Sequence, residues 1–159
     1  NKRKISNEIV CDMIIKSSTL KSIICPSKIV PRAIDEFPIL MIAAALAKGQ
    51  TNFNGLEELN KKESPRLILM NRLLNQIGIK TKVTKKSIII FGNPNLKLNN
   101  KISINPNMDH RLSMSGFVLG QIIGGPINIK SFNTVNTSFP TFLKIMKNLG
   151  ARYEIKKKH

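Results

Sequence analysis

The sequence predicts a mixed α/β (α+β) protein in which helices are buried among sheets. Three observations predict this. Two stretches, Ile34 to Ala47 and Asp109 to Ile123, are apolar on nearly every side, so as helices they need cover all round. Short isoleucine-rich runs of strand length flank both. The order strand, buried helix, strand, amphipathic helix, strands then recurs, which marks an internal repeat of one mixed unit. An open sheet with helices on its faces would give its helices one polar side instead.

In chain order, Ile9 to Ile15 and Leu20 to Cys25 read as strands interrupted by Ser17-Ser18. The first buried helix ends at Gly49, and Thr51 to Phe53 is a short strand. Pro65 to Ile77 reads as a helix with Leu69, Met70, Leu73, Leu74 and Ile77 on one apolar face. Ser64 has the character of its N-cap, with Pro65 at the first helical position and Gly78 just past the end. Lys80 to Thr84 and Ser87 to Phe91 form a predicted hairpin across Lys85-Lys86, followed by a loop from Gly92 to Asn100. Ile102 to Ile104 is a strand. The second buried helix is stopped by Gly124-Gly125-Pro126, and Ile127 to Ile129 is the next strand. Phe139 to Leu149 reads as a helix turning Phe139, Phe142, Leu143, Met146 and Leu149 inward and ending at Gly150. Ala151 to Ile155 is the expected last strand.

Composition narrows the classes. A chain of 159 residues is long enough for one domain with a real core. Two cysteines are too few for a disulfide scaffold or a Cys-rich zinc module, and both Cys11 and Cys25 are expected to be buried and reduced. The longest apolar run, Pro38 to Ala47, falls short of the roughly 20 residues a membrane helix needs. No basic-then-apolar leader opens the chain, so no membrane partner is expected and the location reads as cytoplasmic. The chain opens on Asn1, as a processed protein or a piece of a longer one does.

Lys and Arg total 26 against 9 Asp and Glu, a net charge of +17, which raises nucleic-acid binding as an alternative. The lysines are scattered, however, and the runs Lys2-Arg3-Lys4 and Lys156-Lys157-Lys158 read as solvated tails. Aromatic residues are 5% with no Trp, poor material for stacking bases, so no nucleic-acid partner is expected. Small, multiply charged anions suit the same charge at least as well. No His/Cys/carboxylate set has metal-ligand spacing and no Gly-rich phosphate loop is present, so no metal or organic cofactor is expected.

Polar residues concentrate at the predicted helix starts: Asp35-Glu36, Lys61 to Arg66, Asp109-His110-Arg111 and Asn136-Thr137-Ser138. Helix N-termini carry unpaired N–H groups and the positive end of the dipole. If the repeat gathers these starts at one end, they form an anion-binding floor. Lys62, Arg66 and Arg111 add fixed positive charge to it. Plainer roles stand beside this one. Asp35, Asp109 and Ser138 are ordinary capping types, Glu63 with Lys62 reads equally as a solvated pair, and His110 as a structural residue.

Five strings occur in order: Ile34-Asp35-Glu36-Phe37-Pro38, Gly55-Leu56-Glu57-Glu58-Leu59, Lys62-Glu63-Ser64-Pro65-Arg66-Leu67, Asp109-His110-Arg111-Leu112-Ser113-Met114-Ser115 and Thr137-Ser138-Phe139-Pro140. Their order and spacing resemble the C-terminal part of the 5-enolpyruvylshikimate-3-phosphate synthases, especially the bacterial form with the Ile-Asp-Glu-Phe/Tyr-Pro motif. Lys16-Ser17-Ser18-Thr19-Leu20 fits the same branch, and the match runs from Ile9 to Ile155. The resemblance implies two lobes, each of three βαβαββ units with helix N-termini facing the cleft. Residues 1–159 would then be a C-terminal lobe fragment. Residues 9–92 would hold one repeat with the end of the preceding unit, and residues 100–156 a second. On this resemblance the N-terminal lobe would lie outside the chain.

The implied reaction moves the enolpyruvyl group of phosphoenolpyruvate onto the 5-hydroxyl of shikimate 3-phosphate and releases phosphate. Asp35 matches the residue that contacts the shikimate hydroxyls and is a candidate base. Glu63 matches the group proposed to protonate the methylene carbon and later remove a proton. Lys62 matches a substrate-binding lysine, Arg66 and Arg111 match the arginines that hold phosphoenolpyruvate, and His110 lies beside them. The implied partners are these two substrates and the missing lobe, in an enzyme that is monomeric at full length. Pro65 stands where the family usually has Asp, and Thr137 where some members have Lys. The related transferase acting on UDP-N-acetylglucosamine shares fold and donor and is the nearest alternative. The isolated chain is expected to be inactive, since half a cleft does not orient two anions.

Overall fold

A computed structural model describes residues 2–156; Lys157 and Lys158 of the basic C-terminal run lie outside the described residues. The chain opens with an antiparallel hairpin of β1 (Lys2–Ile5) and β2 (Glu8–Cys11). Ser6 and Asn7 take positive φ at the turn, the geometry that suits a two-residue hairpin. This corrects two expectations. Lys2-Arg3-Lys4 is a paired strand, and the strand expected over Ile9 to Ile15 ends at Cys11. Cys11 is exposed rather than buried. Cys25 is buried, and burial pushes its thiol pKa up, which keeps it protonated and unreactive.

Leu20 to Cys25 runs beside β3 (Gly49–Asn54), through the parallel bridges Lys21–Lys48 and Ile24–Asn52. Between them the chain is helical from Ser27, earlier than the sequence indicates. A 3-10 turn leads into α1 (Val30–Ala33), a second spans Ile34–Glu36, and α2 (Phe37–Ala45) follows. Pro38 fits the first turn of α2, where its missing N–H leaves nothing unpaired. As expected, α2 is buried on nearly all sides, with Phe37 and Met41 fully covered and the Phe37 ring edge-on to Phe53 at 5.4 Å.

The predicted hairpin forms between β4 (Thr81–Val83) and β5 (Ser87–Gly92), and β5 pairs antiparallel with β3 on its other edge. Ile88 and Ile90 of β5 are fully buried on the core face of this sheet. The helix α3 (Arg66–Gln76) covers the same core with Leu67, Met70, Leu73 and Leu74. It closes at Gly78, whose φ of +82° lets Ile79 N–H reach Leu74 C=O at 2.9 Å and Gly78 N–H reach Asn75 C=O at 3.0 Å.

A second strand–helix–strand crossover follows. β6 (Ile102–Ile104) and β7 (Ile127–Ile129) are parallel neighbours, joined through α4 (His110–Ile123), which packs against α2. A satellite core gathers Phe117 of α4, Val135 and Phe142. The last helix is shorter than expected: α5 spans Phe142–Asn148. Phe139 stays outside it: its N–H donates to Val135 C=O just past a 3-10 turn over Phe132–Thr137, and Pro140 lies in the turn that leads into α5. Leu149 is exposed, and Ala151 to Ile155 forms no strand.

The end of β5 sits against the C-terminus of α2. Asn93 N–H donates to Ala45 C=O at 2.8 Å, and a Cβ on Gly92 would lie 2.1 Å from Ala47 O and 2.4 Å from Ala44 O. Both of those atoms are backbone. Gly92→Ala is therefore expected to destabilise the chain by about 3 kcal/mol, the upper range for overpacking. A urea midpoint unchanged from the parent sequence would contradict this close approach.

Candidate active site

Three of the four polar helix starts meet. Arg66 is the first residue of α3, Asp109 is the N-cap of α4, and Asp35 lies one residue before the N-cap of α2. The Arg66 side chain is 0% exposed and its three nitrogens diverge onto three carboxylates. Nε donates to Asp109 Oδ2 at 2.8 Å, NH1 donates to Asp35 Oδ1 at 2.8 Å, and NH2 donates to Glu63 Oε2. Asp109 is likewise 0% exposed, whereas the side chains of Asp35 and Glu63 are 40% and 53% exposed. The guanidinium fork thus links a buried anchor to two carboxylates that face outward.

Lys62 and Arg111 join from either side. Lys62 Nζ lies 3.4 Å from Asp35 Oδ1, and Arg111 NH2 lies 3.8 Å from Asp35 Oδ2. Arg111 NH1 also donates to Asp35 C=O and to Glu36 Oε1, both at 3.1 Å. His110 is half-buried in the first turn of α4 and takes part in none of these ion pairs among the described residues. Thr137 and Ser138 do not join the cluster: Thr137 Oγ1 donates to Thr134 C=O within the 3-10 turn, and Ser138 ends that turn rather than starting a helix.

Two expectations need correction. Ser64 does not cap α3. Pro65, with ψ of 74°, occupies the N-cap position without a side-chain bond, and Ser64 Oγ donates to Asp109 Oδ2 at 2.8 Å. Asn60 supplies the cap from a distance, its Oδ1 accepting from Leu67 N–H and Ile68 N–H. Glu63 and Lys62 do not form a solvated pair with each other; each is drawn to a different partner.

The expected floor of unpaired helix N–H groups is largely taken up on α3 and α4. Asn60 takes two of those groups on α3, and Asp109 Oδ1 takes those of Arg111 and Leu112 on α4. The local charge is not positive either: four carboxylates (Asp35, Glu36, Glu63, Asp109) face three cations (Lys62, Arg66, Arg111). An anion entering here meets arginines already paired with protein carboxylates.

Electrostatics fix the state of Asp35. Burial pushes its pKa up, but the hydrogen bond from Arg66 and the charges of Arg111 and Lys62 outweigh this and hold it below the ordinary value of 3.8. Burial pulls Arg66 down, yet Asp109, Asp35 and Glu63 together raise it, so it stays charged. A carboxylate with a depressed folded pKa stabilises the fold above its unfolded value, and that contribution is lost as pH falls through the folded value. The stability difference between this chain and Asp35→Asn is therefore expected to close below pH 3.8. Urea titrations at falling pH check it; a constant difference down to about pH 2 would contradict the pairing.

The EPSP synthase (3-phosphoshikimate 1-carboxyvinyltransferase) family model matches residues 3–146. The 3-phosphoshikimate 1-carboxyvinyltransferase of Zymomonas mobilis is 40% identical over 158 residues, which cover 98% of this chain and 35% of that protein. The protein of the same name from Hydrogenovibrio crunogenus is 41% identical over 150 residues, covering 94% of this chain and 33% of its own length. A solved EPSP synthase from Acinetobacter baumannii superposes with a TM-score of 0.91 at 40% identity, over 99% of this chain and 36% of that one. The chain spans about a third of the length of the relatives it matches. Sequence match, backbone match and the order of its helix-start motifs agree: this chain belongs to the EPSP synthase family.

Proposed function

We propose that the chain is the C-terminal lobe portion of an enzyme that transfers the enolpyruvyl group of phosphoenolpyruvate to the 5-hydroxyl of shikimate 3-phosphate. In this reading residues 9–92 hold one βαβαββ unit with the end of the preceding unit, residues 100–156 hold the strand–helix–strand–helix part of a second, and the remaining lobe completes the cleft. The observation that carries the proposal is the meeting of Asp35, Lys62, Glu63, Arg66 and Arg111 in one cluster, in a chain of this family.

The chemistry needs a proton delivered to the methylene carbon of phosphoenolpyruvate while the acceptor hydroxyl adds to C2. It then needs that proton removed as the phosphate leaves. Glu63 suits the proton transfers: its carboxyl is half-exposed and, among the described residues, it pairs with Arg66 alone. Asp35 is ionised but weakly basic, with Arg66, Lys62 and Arg111 around its carboxylate. Its fitting role is to accept a hydrogen bond from the hydroxyl and orient it, with the proton lost only as the C–O bond forms. Lys62 and Arg111 are the cations open enough to meet substrate anions, each with a side chain 31% exposed. Arg66, wholly covered, acts by holding Asp35 and Glu63 in place, unless a substrate carboxylate displaces one of them. The net negative charge of the cluster requires that the cations for two anionic substrates come largely from the other lobe.

The test is phosphate release by the chain joined to the remaining two thirds of its enzyme. Release is expected only with both substrates present. Release from phosphoenolpyruvate alone, or none from a folded enzyme, would overturn the assignment.

A further inference from the structure

Asp109 reads from the sequence as a helix cap, yet its side chain is wholly covered while Asp35, Glu36 and Glu63 stay open to solvent. Its two oxygens do different things. Oδ1 accepts from the N–H groups of Arg111 and Leu112 and starts α4. Oδ2 accepts from Arg66 Nε and from Ser64 Oγ, both at 2.8 Å. A guanidinium is planar, so fixing Nε fixes the directions in which NH1 and NH2 point. Those two nitrogens meet Asp35 and Glu63.

We propose that Asp109 is a positioning residue: by gripping Arg66 Nε, it sets the orientation in which Arg66 presents its outer nitrogens to Asp35 and Glu63. The importance of this for turnover rests on the enolpyruvyl-transfer reading. The orientation itself does not. Ser64 is the second donor on Oδ2 and fills its remaining lone pair.

Asp109→Asn separates the two roles of the side chain. Asparagine caps a helix as well as aspartate does, so its amide oxygen keeps the start of α4. Its amide nitrogen then stands where Oδ2 stood and opposes the Arg66 Nε–H, donor against donor. The guanidinium turns away, and Asp35 loses its aligned partner.

The readout is the titration of the Asp35 carboxyl in this chain, followed by carbon-13 NMR, with no turnover required. Asp35 faces Lys62, Arg66 and Arg111, while Glu36 and Glu63 share those arginines. Its midpoint is expected to rise by about half a pH unit or more in Asp109→Asn. Ser64→Ala, which leaves the Arg66–Asp109 pair intact, is expected to leave the midpoint in place. An unmoved midpoint in Asp109→Asn means that Asp109 is a cap and nothing more. A fall means that it acts on Asp35 merely as a nearby negative charge. Either result overturns the proposal.

Should Asp109→Asn fail to fold, hydrogen exchange of Arg66 Nε–H in the unsubstituted chain decides. Slow exchange supports the grip, and exchange at the rate of an exposed arginine overturns it. Absence of phosphate release by the completed enzyme would sink the functional reading without touching either result.

Discussion

Arg66→Ala is expected to cost this chain about 3–5 kcal/mol of folding stability, the range for breaking a buried ion pair from one side. The reason is what it leaves behind. Asp109 is 0% exposed, and its Oδ2 would keep only Ser64 as a donor. A buried carboxylate without its cation either pays its desolvation or takes up a proton, and both weaken the fold at neutral pH. Against a typical total of about 5–15 kcal/mol, this loss is close to unfolding for a chain of this size. The same logic gives a sharper comparison. Arg66→Met combined with Asp109→Asn removes both charges, so it is expected to cost less than Arg66→Ala alone. Urea unfolding of the two variants beside the parent chain checks this. A loss under about 1 kcal/mol for Arg66→Ala would mean that the guanidinium is solvated rather than buried.

Glu63→Gln is expected to do the opposite: leave stability nearly unchanged and abolish most of the turnover. Its carboxylate is 53% exposed and its pairing with Arg66 spans three residues of chain, so the ion pair adds little to the fold. Removing a general acid typically costs about 10²–10⁴-fold in rate. In the completed enzyme, Glu63→Gln is expected to lower kcat within that range with a urea midpoint within error of the parent. Phosphate release under saturating substrates measures the first and chemical unfolding the second. A kcat reduced less than about tenfold would remove Glu63 from the proton-transfer role.

How much of this was legible in the sequence depends on the range of the interaction. The two buried helices were legible because apolarity on all sides has one physical solution, burial on all sides; Phe37 and Met41 of α2 and Leu119 of α4 are fully covered. The α3 face was legible from its 3.6-residue spacing and its end from Gly78. The helical stretch from Ser27 is not legible, because Pro26 before it and Pro31 inside the first turn of α1 are residues that interrupt helices elsewhere. The apolar spacing that begins at Phe139 does not mark the start of α5, which the chain reaches only at Phe142 after the turn through Pro140.

The site divides the same way. Asp35, Lys62, Glu63, Arg66 and Arg111 were named through motif order, and three helix starts do meet. Their pairings were not legible. Ser64 reads as a local cap, but its partner Asp109 lies 45 positions away, beyond any local pattern. Asn60 caps α3 across seven positions, outside the spacing that marks an ordinary N-cap. The charge balance also misled. A strongly basic chain suggests a positive site, yet the carboxylates outnumber the cations here, because lysines scattered over a surface say nothing about one cluster.

The most direct measurement follows the label. The completed enzyme is given shikimate 3-phosphate and phosphoenolpyruvate carrying carbon-14 in its three-carbon unit, and the products are separated. The account predicts label in an enolpyruvyl ether of shikimate 3-phosphate, formed in step with phosphate and lost in Glu63→Gln. Label recovered as free pyruvate, or retained in phosphoenolpyruvate by a folded enzyme, would contradict it.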